Sequence, residues 1–245
     1  MLNIGHRGAR RIAPENTLES LRIALAEGAD GVEFDVQRTC DGELVLFHDD
    51  HLGRLTGRDL PFGALPFREL RRLAVRGPHG TTALIPHFDE VLAALAAGRS
   101  FVNAELKVDA AQGNAAVLAE TFGRAAGAVD HARWLVSSFH KAPLQRLHEG
   151  GLGFRLGALV ENRKGSDWHD LAPPAALPFA TVHPEHGLVT PERMAIWLAA
   201  PWPVWTWTTN DPQQWERLFS AGVAACITDD PVGLRDHFDR LRPRR

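Results

Sequence analysis

The stretch Gly31-Val32-Glu33-Phe34-Asp35-Val36-Gln37 decides how the rest of the chain is read. Residues two apart in a strand project to the same face, so Glu33 and Asp35 share one wall while Val32, Phe34 and Val36 share the other. An edge strand with its acids in water would show the same alternation. The flanking Val and Phe residues are of the kind that are buried, however, and this favours a strand covered on both sides. Carboxylates in such a place must be paired, or must ligate a cation, to offset their desolvation.

Working outward, similar short apolar runs recur at residues 2–5, 44–47, 101–106, 134–137, 154–159, 203–208 and 224–227, which with 31–37 makes eight strand candidates. Residues 180–183 form a further one. The surplus has a ready account, because 44–47 can pair back onto 31–37 as a hairpin across Asp41-Gly42, a strong turn signal. Between the runs lie stretches of helical periodicity at 17–26, 88–97, 115–126, 142–149, 191–198, 212–221 and 232–241, several opened by Pro or ended by Gly. Strands alternating with helices predict parallel strands joined by crossovers. The fold class expected is α/β, a TIM-type (β/α)8 barrel spanning residues 1–245 as one domain. The rhythm lapses at about 50–87, where Gly, Pro and Arg interrupt a single helical pattern at 67–73, so this segment reads as a small insertion after the second strand region.

Composition narrows the function classes. The 245 residues are 44% hydrophobic and 23% charged with a formal net charge of −3, ordinary values for a soluble globular protein. No run approaches the roughly 20 apolar residues of a membrane span. Basic residues are scattered, and the one basic block, the tail at 240–245, reads as a solvated end, so nucleic acid is not an expected partner. The opening Met1-Leu2-Asn3-Ile4-Gly5-His6-Arg7 is strand-like where a secretory signal needs a basic and then an apolar region, and the two cysteines lack metal-site spacing. A cytoplasmic location is the expectation.

The chemistry gathers at strand ends. Asn103-Ala104-Glu105-Leu106-Lys107 repeats the pattern of 31–37, placing Glu105 and Lys107 on one face. Three inward acids on neighbouring strands suit a hard divalent cation with oxygen ligands, Mg²⁺ or Ca²⁺. His6 and His48 each follow a strand candidate, where barrel active sites assemble. His87, His140, His183 and His186 lie in or beside probable loops and are kept as pocket candidates without a role.

Taken in order, His6-Arg7-Gly8, Glu15-Asn16-Thr17, Glu33-Phe34-Asp35-Val36, Asp41-Gly42, His48-Asp49, Glu105-Leu106-Lys107 and Ile227-Thr228-Asp229 resemble the glycerophosphodiester phosphodiesterase family over nearly the whole chain. The resemblance implies a barrel enzyme that hydrolyses small-molecule glycerophosphodiesters to sn-glycerol 3-phosphate and an alcohol with one divalent cation. By the match, Glu33, Asp35 and Glu105 bind the metal, His6 and His48 are the catalytic acid and base, and Arg7 and Lys107 hold the phosphate. Trp207 and Asn210, in a Trp-Thr-Thr-Asn run, line the glycerol pocket. Trp205 and Trp207 share a strand face, and one of the pair is open to a purely packing role. One departure is Gly222-Val223-Ala224-Ala225-Cys226-Ile227, where relatives usually carry Gly-Val-Asp-Gly-Ile.

Formal charge is consistent with this set. Three carboxylates, a divalent cation, Arg7 and Lys107 leave one net positive charge, which a diester phosphate neutralises. The nucleophile is either the glycerol 2-hydroxyl, the preferred reading, or water at the cation. Competing readings are an enolase-like lyase, which would want a Lys or His base at a late strand where 224–227 has none, and a catalytically silent binding barrel. A lysophospholipase D-like variant would need an apolar groove, for which Leu55, Leu60, Phe62, Leu65 and Phe67 in the insertion are available. The leaving alcohol and the oligomeric state are left open.

Overall fold

The computed structural model describes residues 1–108, 114–162, 167–168, 177–200 and 202–241, so most of the basic tail lies outside the described residues. In chain order the strands are β1 Leu2–His6, β2 Gly31–Arg38, β3 Leu44–Leu46, β4 Ala74–Arg76, β5 Thr82–Leu84, β6 Phe101–Leu106, β7 Trp134–Ser138, β8 Arg155–Val160, β9 Phe179–Pro184, β10 Trp205–Thr206 and β11 Ala225–Thr228. Eight of these form a parallel sheet in the order β10-β11-β1-β2-β6-β7-β8-β9. Bridges Val182–Val204 and Glu185–Trp207 bring β9 against β10, so the sheet is nearly closed into a barrel.

The helices described on the connections bury one stripe each on the barrel wall. In Ala115–Ala126 the buried residues Leu118, Ala119, Phe122 and Ala126 recur at helical spacing. Pro opens the helices Pro191–Ala199 and Pro212–Ser220, where the missing N–H costs nothing, and Thr190 and Asp211 cap them with side-chain oxygens. On β2 the outward Phe34 is fully buried, with its ring 6.4 Å from Phe88 and 6.2 Å from Trp134. Truncating it to Ala would cost about 3–5 kcal/mol in lost transfer energy and cavity.

The hairpin expected across Asp41-Gly42 is present: β3 pairs antiparallel to β2, with Val36 opposite Leu46 and Arg38 opposite Leu44. β9, the further strand candidate, completes the eight parallel strands. A two-residue periodicity cannot tell a hairpin arm from a barrel strand, because both alternate in the same way. The insertion is more structured than its single helical pattern implies. It contains helices Gly53–Thr56 and Phe67–Leu70 and a β4–β5 hairpin. Val45, Phe47, Leu52, Leu55, Phe62, Leu70, Val75 and Ile85 form a small separate core, with Leu60, Leu65 and Phe67 packed against it. Of the apolar residues available for a lipid groove, Leu55 and Phe62 are buried in this core, and Leu60, Leu65 and Phe67 pack against it half-buried.

Register sets the site. His6 lies opposite Glu33 and Glu33 opposite Asn103, while Asp35, Glu105 and Ser137 line up one step further toward the C-terminal ends. Inward side chains from β1, β2 and β6 thus meet in two layers at the mouth of the barrel.

Candidate active site

Glu33, Asp35 and Glu105 each offer a carboxylate oxygen, all within 4.8 Å of one another, and all three residues are buried. Burial, reinforced by repulsion from Asp35 and Glu105, raises the Glu33 pKa well above its ordinary value. Burial also raises Glu105, against the opposing pull of Lys107. Asp35 is held below the usual carboxylate range, since Arg7, His48 and Lys107 outweigh the burial that opposes its ionisation. Three acids this close, two of them driven toward the protonated form, are a donor set that a divalent cation would relieve. Beside them Asn103 is 1% exposed, and neither of its amide atoms has a protein partner. The residues present fit a hard cation.

The loop after β1 is shaped by backbone conformations that its sequence permits. Arg7, Gly8 and Asn16 all have positive φ, at 54°, 82° and 56°. At Gly8 a Cβ would lie 2.5 Å from the Ser20 backbone carbon, so only glycine fits. Asn16 uses its left-handed conformation to make a reciprocal pair with Asp35, donating Nδ2 to Oδ2 at 2.8 Å and accepting the Asp35 N–H at 3.1 Å. Thr17, next along, caps the helix Leu18–Ala26. Arg7 donates its backbone N–H to Glu33 at 2.8 Å and its Nη1 to Glu15 at 2.7 Å, and its Nε lies 3.1 Å from Asp35.

Both histidines are oriented through Nδ1 by an aspartate. His6 Nδ1 is 2.6 Å from Asp229 Oδ1, and His48 Nδ1 is 2.7 Å from Asp49 Oδ1. Asp229 has its pKa lowered to about 2: burial opposes ionisation, but the His6 hydrogen bond and the charges of His6 and Arg10 win. An ionised aspartate accepts, so Nδ1 carries the hydrogen and Nε2 is left to exchange a proton. Burial, aided by the Arg7 charge and only partly offset by Asp229, lowers the His6 pKa, which keeps the imidazole neutral near pH 7. His48 does not sit at the end of a barrel strand. It is brought down into the mouth by the returning hairpin arm, where the Gln37 amide donates to Phe47 O at 3.0 Å and Asp49 O at 3.1 Å, gripping the backbone on both sides of it.

His6, His48, Glu33 and Glu105 line a cleft of about 320 Å³ that also includes Arg7, Asn103, Lys107, Phe139, His140, Leu159, Glu161, Trp207 and Ile227. Lys107 Nζ is 3.0 Å from Glu105 and 5.8 Å from the centre of the Phe139 ring, and Phe139 meets Trp207 edge to face at 5.4 Å. Trp205, one layer deeper, stacks on the buried His183 and fills the barrel interior, while Trp207 reaches the cleft. Asn210 stands apart from the lining. Its amide donates to Asp229 Oδ2 at 2.9 Å and accepts from the Asp229 N–H at 2.9 Å and the Thr228 hydroxyl at 3.0 Å. It orients Asp229 rather than facing the cleft. Of the four pocket-candidate histidines only His140 lines the cleft. His87 caps the helix Phe88–Leu95 and pairs with Glu43, and His183 bonds Thr181 inside the barrel. A larger depression of about 720 Å³ at the opposite end, around Asn3, Phe219 and Phe238, contains no comparable set of groups.

Sequence reasoning gave no role to Asp49, Asp229, Glu15, Arg54 or Asn103. The first three stood inside the quoted motifs, and an acid adjoining a histidine was a usable signal. Arg54 had none, since it lies in the unpatterned insertion.

Comparison with known proteins agrees with this architecture. The model of the glycerophosphoryl diester phosphodiesterase family matches residues 6–232. A glycerophosphodiester phosphodiesterase of Caldanaerobacter subterraneus subsp. tengcongensis is 29% identical over 95% of this chain and 96% of its own length. Another from Bacillus altitudinis is 30% identical over 92% and 93%. Among solved structures, an Oleispira antarctica phosphodiesterase in complex with the product sn-glycerol-3-phosphate superposes with a TM-score of 0.86 at 26% identity, covering 98% of this chain and 97% of that one. A Silicibacter pomeroyi putative glycerophosphoryl diester phosphodiesterase gives 0.84 at 26% identity over 97% and 93%.

Proposed function

This chain belongs to the glycerophosphoryl diester phosphodiesterase family, and on that premise we propose that it hydrolyses glycerophosphodiesters to sn-glycerol 3-phosphate and an alcohol, with one divalent cation, Mg²⁺ or Ca²⁺, held by Glu33, Asp35 and Glu105. The observation that carries the reading is the meeting, in one cleft, of three buried carboxylates with two aspartate-oriented histidines and two cationic side chains. The cation supplies charge neutralisation at the phosphoryl oxygens. Arg7 and Lys107 hold the monoanionic diester from the protein side. Of His6 and His48, one removes the proton of the attacking hydroxyl through Nε2 and the other delivers a proton to the departing alkoxide. The attacking group in this reading is the glycerol 2-hydroxyl, already tethered beside phosphorus, so that a cyclic phosphate forms as the alcohol leaves and water then opens it. Trp207 and Phe139 form the apolar wall of the organic subsite.

No helix among the described residues is long and apolar enough to cross a membrane. The two cysteines, Cys40 exposed and Cys226 buried, are unpaired, which supports operation in a reducing compartment such as the cytoplasm. The test is release of glycerol 3-phosphate from glycerophosphocholine, read through its dehydrogenase, before and after chelation. Activity that is lost on chelation and returns with Mg²⁺ or Ca²⁺ is expected. Full turnover in the chelated protein, or none on any glycerophosphodiester with either cation present, overturns the proposal.

A further inference from the structure

Glu15 has no contact with the cleft, yet its carboxylate receives three guanidinium groups. Arg7 Nη1 lies 2.7 Å from Oε1, Arg54 reaches Oε1 at 2.7 Å and Oε2 at 3.0 Å, and Arg10 Nη2 lies 3.4 Å from Oε2. Glu15 is 6% exposed, and these cations keep it ionised against the burial that opposes charge. Each arginine continues to a second acid. Arg54 binds Asp49 through Nε at 2.6 Å and Nη2 at 2.8 Å, and Asp49 holds His48. Arg10 Nε stands 3.6 Å from Asp229, which holds His6. Arg7 reaches Asp35 in the carboxylate cluster. Three arms thus leave one carboxylate, and they end at the aspartates that hold both histidines and at Asp35 of the carboxylate cluster.

We propose that Glu15 is a positioning residue that fixes the two histidine–aspartate pairs in one frame with each other. It acts on turnover through their alignment and not on substrate binding. The inference rests on the reading of His6 and His48 as proton carriers. The alternative is a network that only staples the insertion to the barrel. The geometry speaks against that, because a simple staple would not need Arg54 and Arg10 to finish on the very acids that orient His48 and His6. A planar fork bound at both ends also transmits orientation in a way that a single point charge does not.

Glu15→Gln keeps the shape and removes the charge. The expected result is a kcat lower by roughly 10- to 100-fold with KM within about 3-fold of wild type, the pattern of a lost transition-state alignment. In the His48→Ala and His6→Ala backgrounds the same change should lower kcat by a clearly smaller factor, since part of what Glu15 aligns is already gone. Arg54→Lys, at a half-exposed position, serves if Glu15→Gln does not fold. Lysine cannot span Glu15 and Asp49 together, so a loss of roughly 10-fold in kcat at unchanged KM is expected. Equal factors in all backgrounds, a raised KM with unchanged kcat, or wild-type turnover in the variant that folds overturns the positioning role alone. If His6→Ala and His48→Ala themselves keep wild-type turnover, the histidine reading fails and this one with it.

Discussion

Replacing Asp229 by Asn tests the link between the late strand and the proton chemistry. The wild-type carboxylate accepts from His6 Nδ1 at 2.6 Å and from the Asn210 amide at 2.9 Å, and Asn210 in turn accepts the Asp229 backbone N–H and the Thr228 hydroxyl. An amide in its place can donate to Nδ1, which moves the ring hydrogen to Nε2, the nitrogen that must accept a proton if His6 is the base. A loss of roughly two to four orders of magnitude in kcat is expected. Stability should fall as well. A carboxyl pKa of about 2 against the ordinary 3.8 represents about 2.5 kcal/mol, at ~1.4 kcal/mol for each tenfold change in proton affinity. The pKa is depressed in the folded protein, so this stability is present in full above about pH 4 and is lost as the pH falls toward 2. At pH 7 the variant should therefore melt roughly 5–10 °C below wild type, the scale for about 2.5 kcal/mol in a chain of this size. The two proteins should converge in acid. Steady-state kinetics at pH 7 and thermal denaturation at pH 7 and pH 2 check both halves. Turnover within threefold of wild type would falsify the orienting role of Asp229, whatever the melting temperature did.

Glu33→Gln, Asp35→Asn and Glu105→Gln should each abolish most activity while circular dichroism remains native, and in the metal-free protein Glu33→Gln should not lower the melting temperature, because it removes a buried charge that repels its neighbours. Cation affinity should rise with pH: Glu33 and Glu105 have raised pKa values and must shed protons before binding, so calorimetry in two buffers of different ionisation heat should detect proton release, and a pH-independent affinity with no release contradicts the donor set. A diester of propane-1,3-diol, lacking the 2-hydroxyl, should bind yet turn over far more slowly than the glycerol parent; a rate close to the parent's assigns the attack to water. Gly8→Ala should cost about 2 kcal/mol or more and depress activity, since its positive φ and the 2.5 Å approach to Ser20 leave no room for a methyl group, and a variant as stable as wild type would show that the loop relaxes freely.

The barrel and its acids were legible because both are written in short-range patterns. Two-residue alternation at Glu33 and Asp35, the same alternation at Glu105 and Lys107, and Pro and Gly at helix ends need only neighbours to be read. His6 and His48 were visible for the same reason, as residues just past apolar runs. The alternation alone does not say which runs pair with which: the Asp41-Gly42 turn points to the hairpin of β2 and β3, and only the registers of β2 and β8 place β9 in the barrel wall. The support of the site was hidden more deeply. His6 meets Asp229 across 223 positions and Arg54 meets Glu15 across 39, in loops with no period to betray them. Only closure of the barrel, which sets β11 beside β1, and folding of the insertion around its own core bring those charges within reach. Local sequence can therefore fix which side chains face inward, because that is a property of the strand. Which acid orients which histidine depends on distances that exist only after the ends of the chain have met.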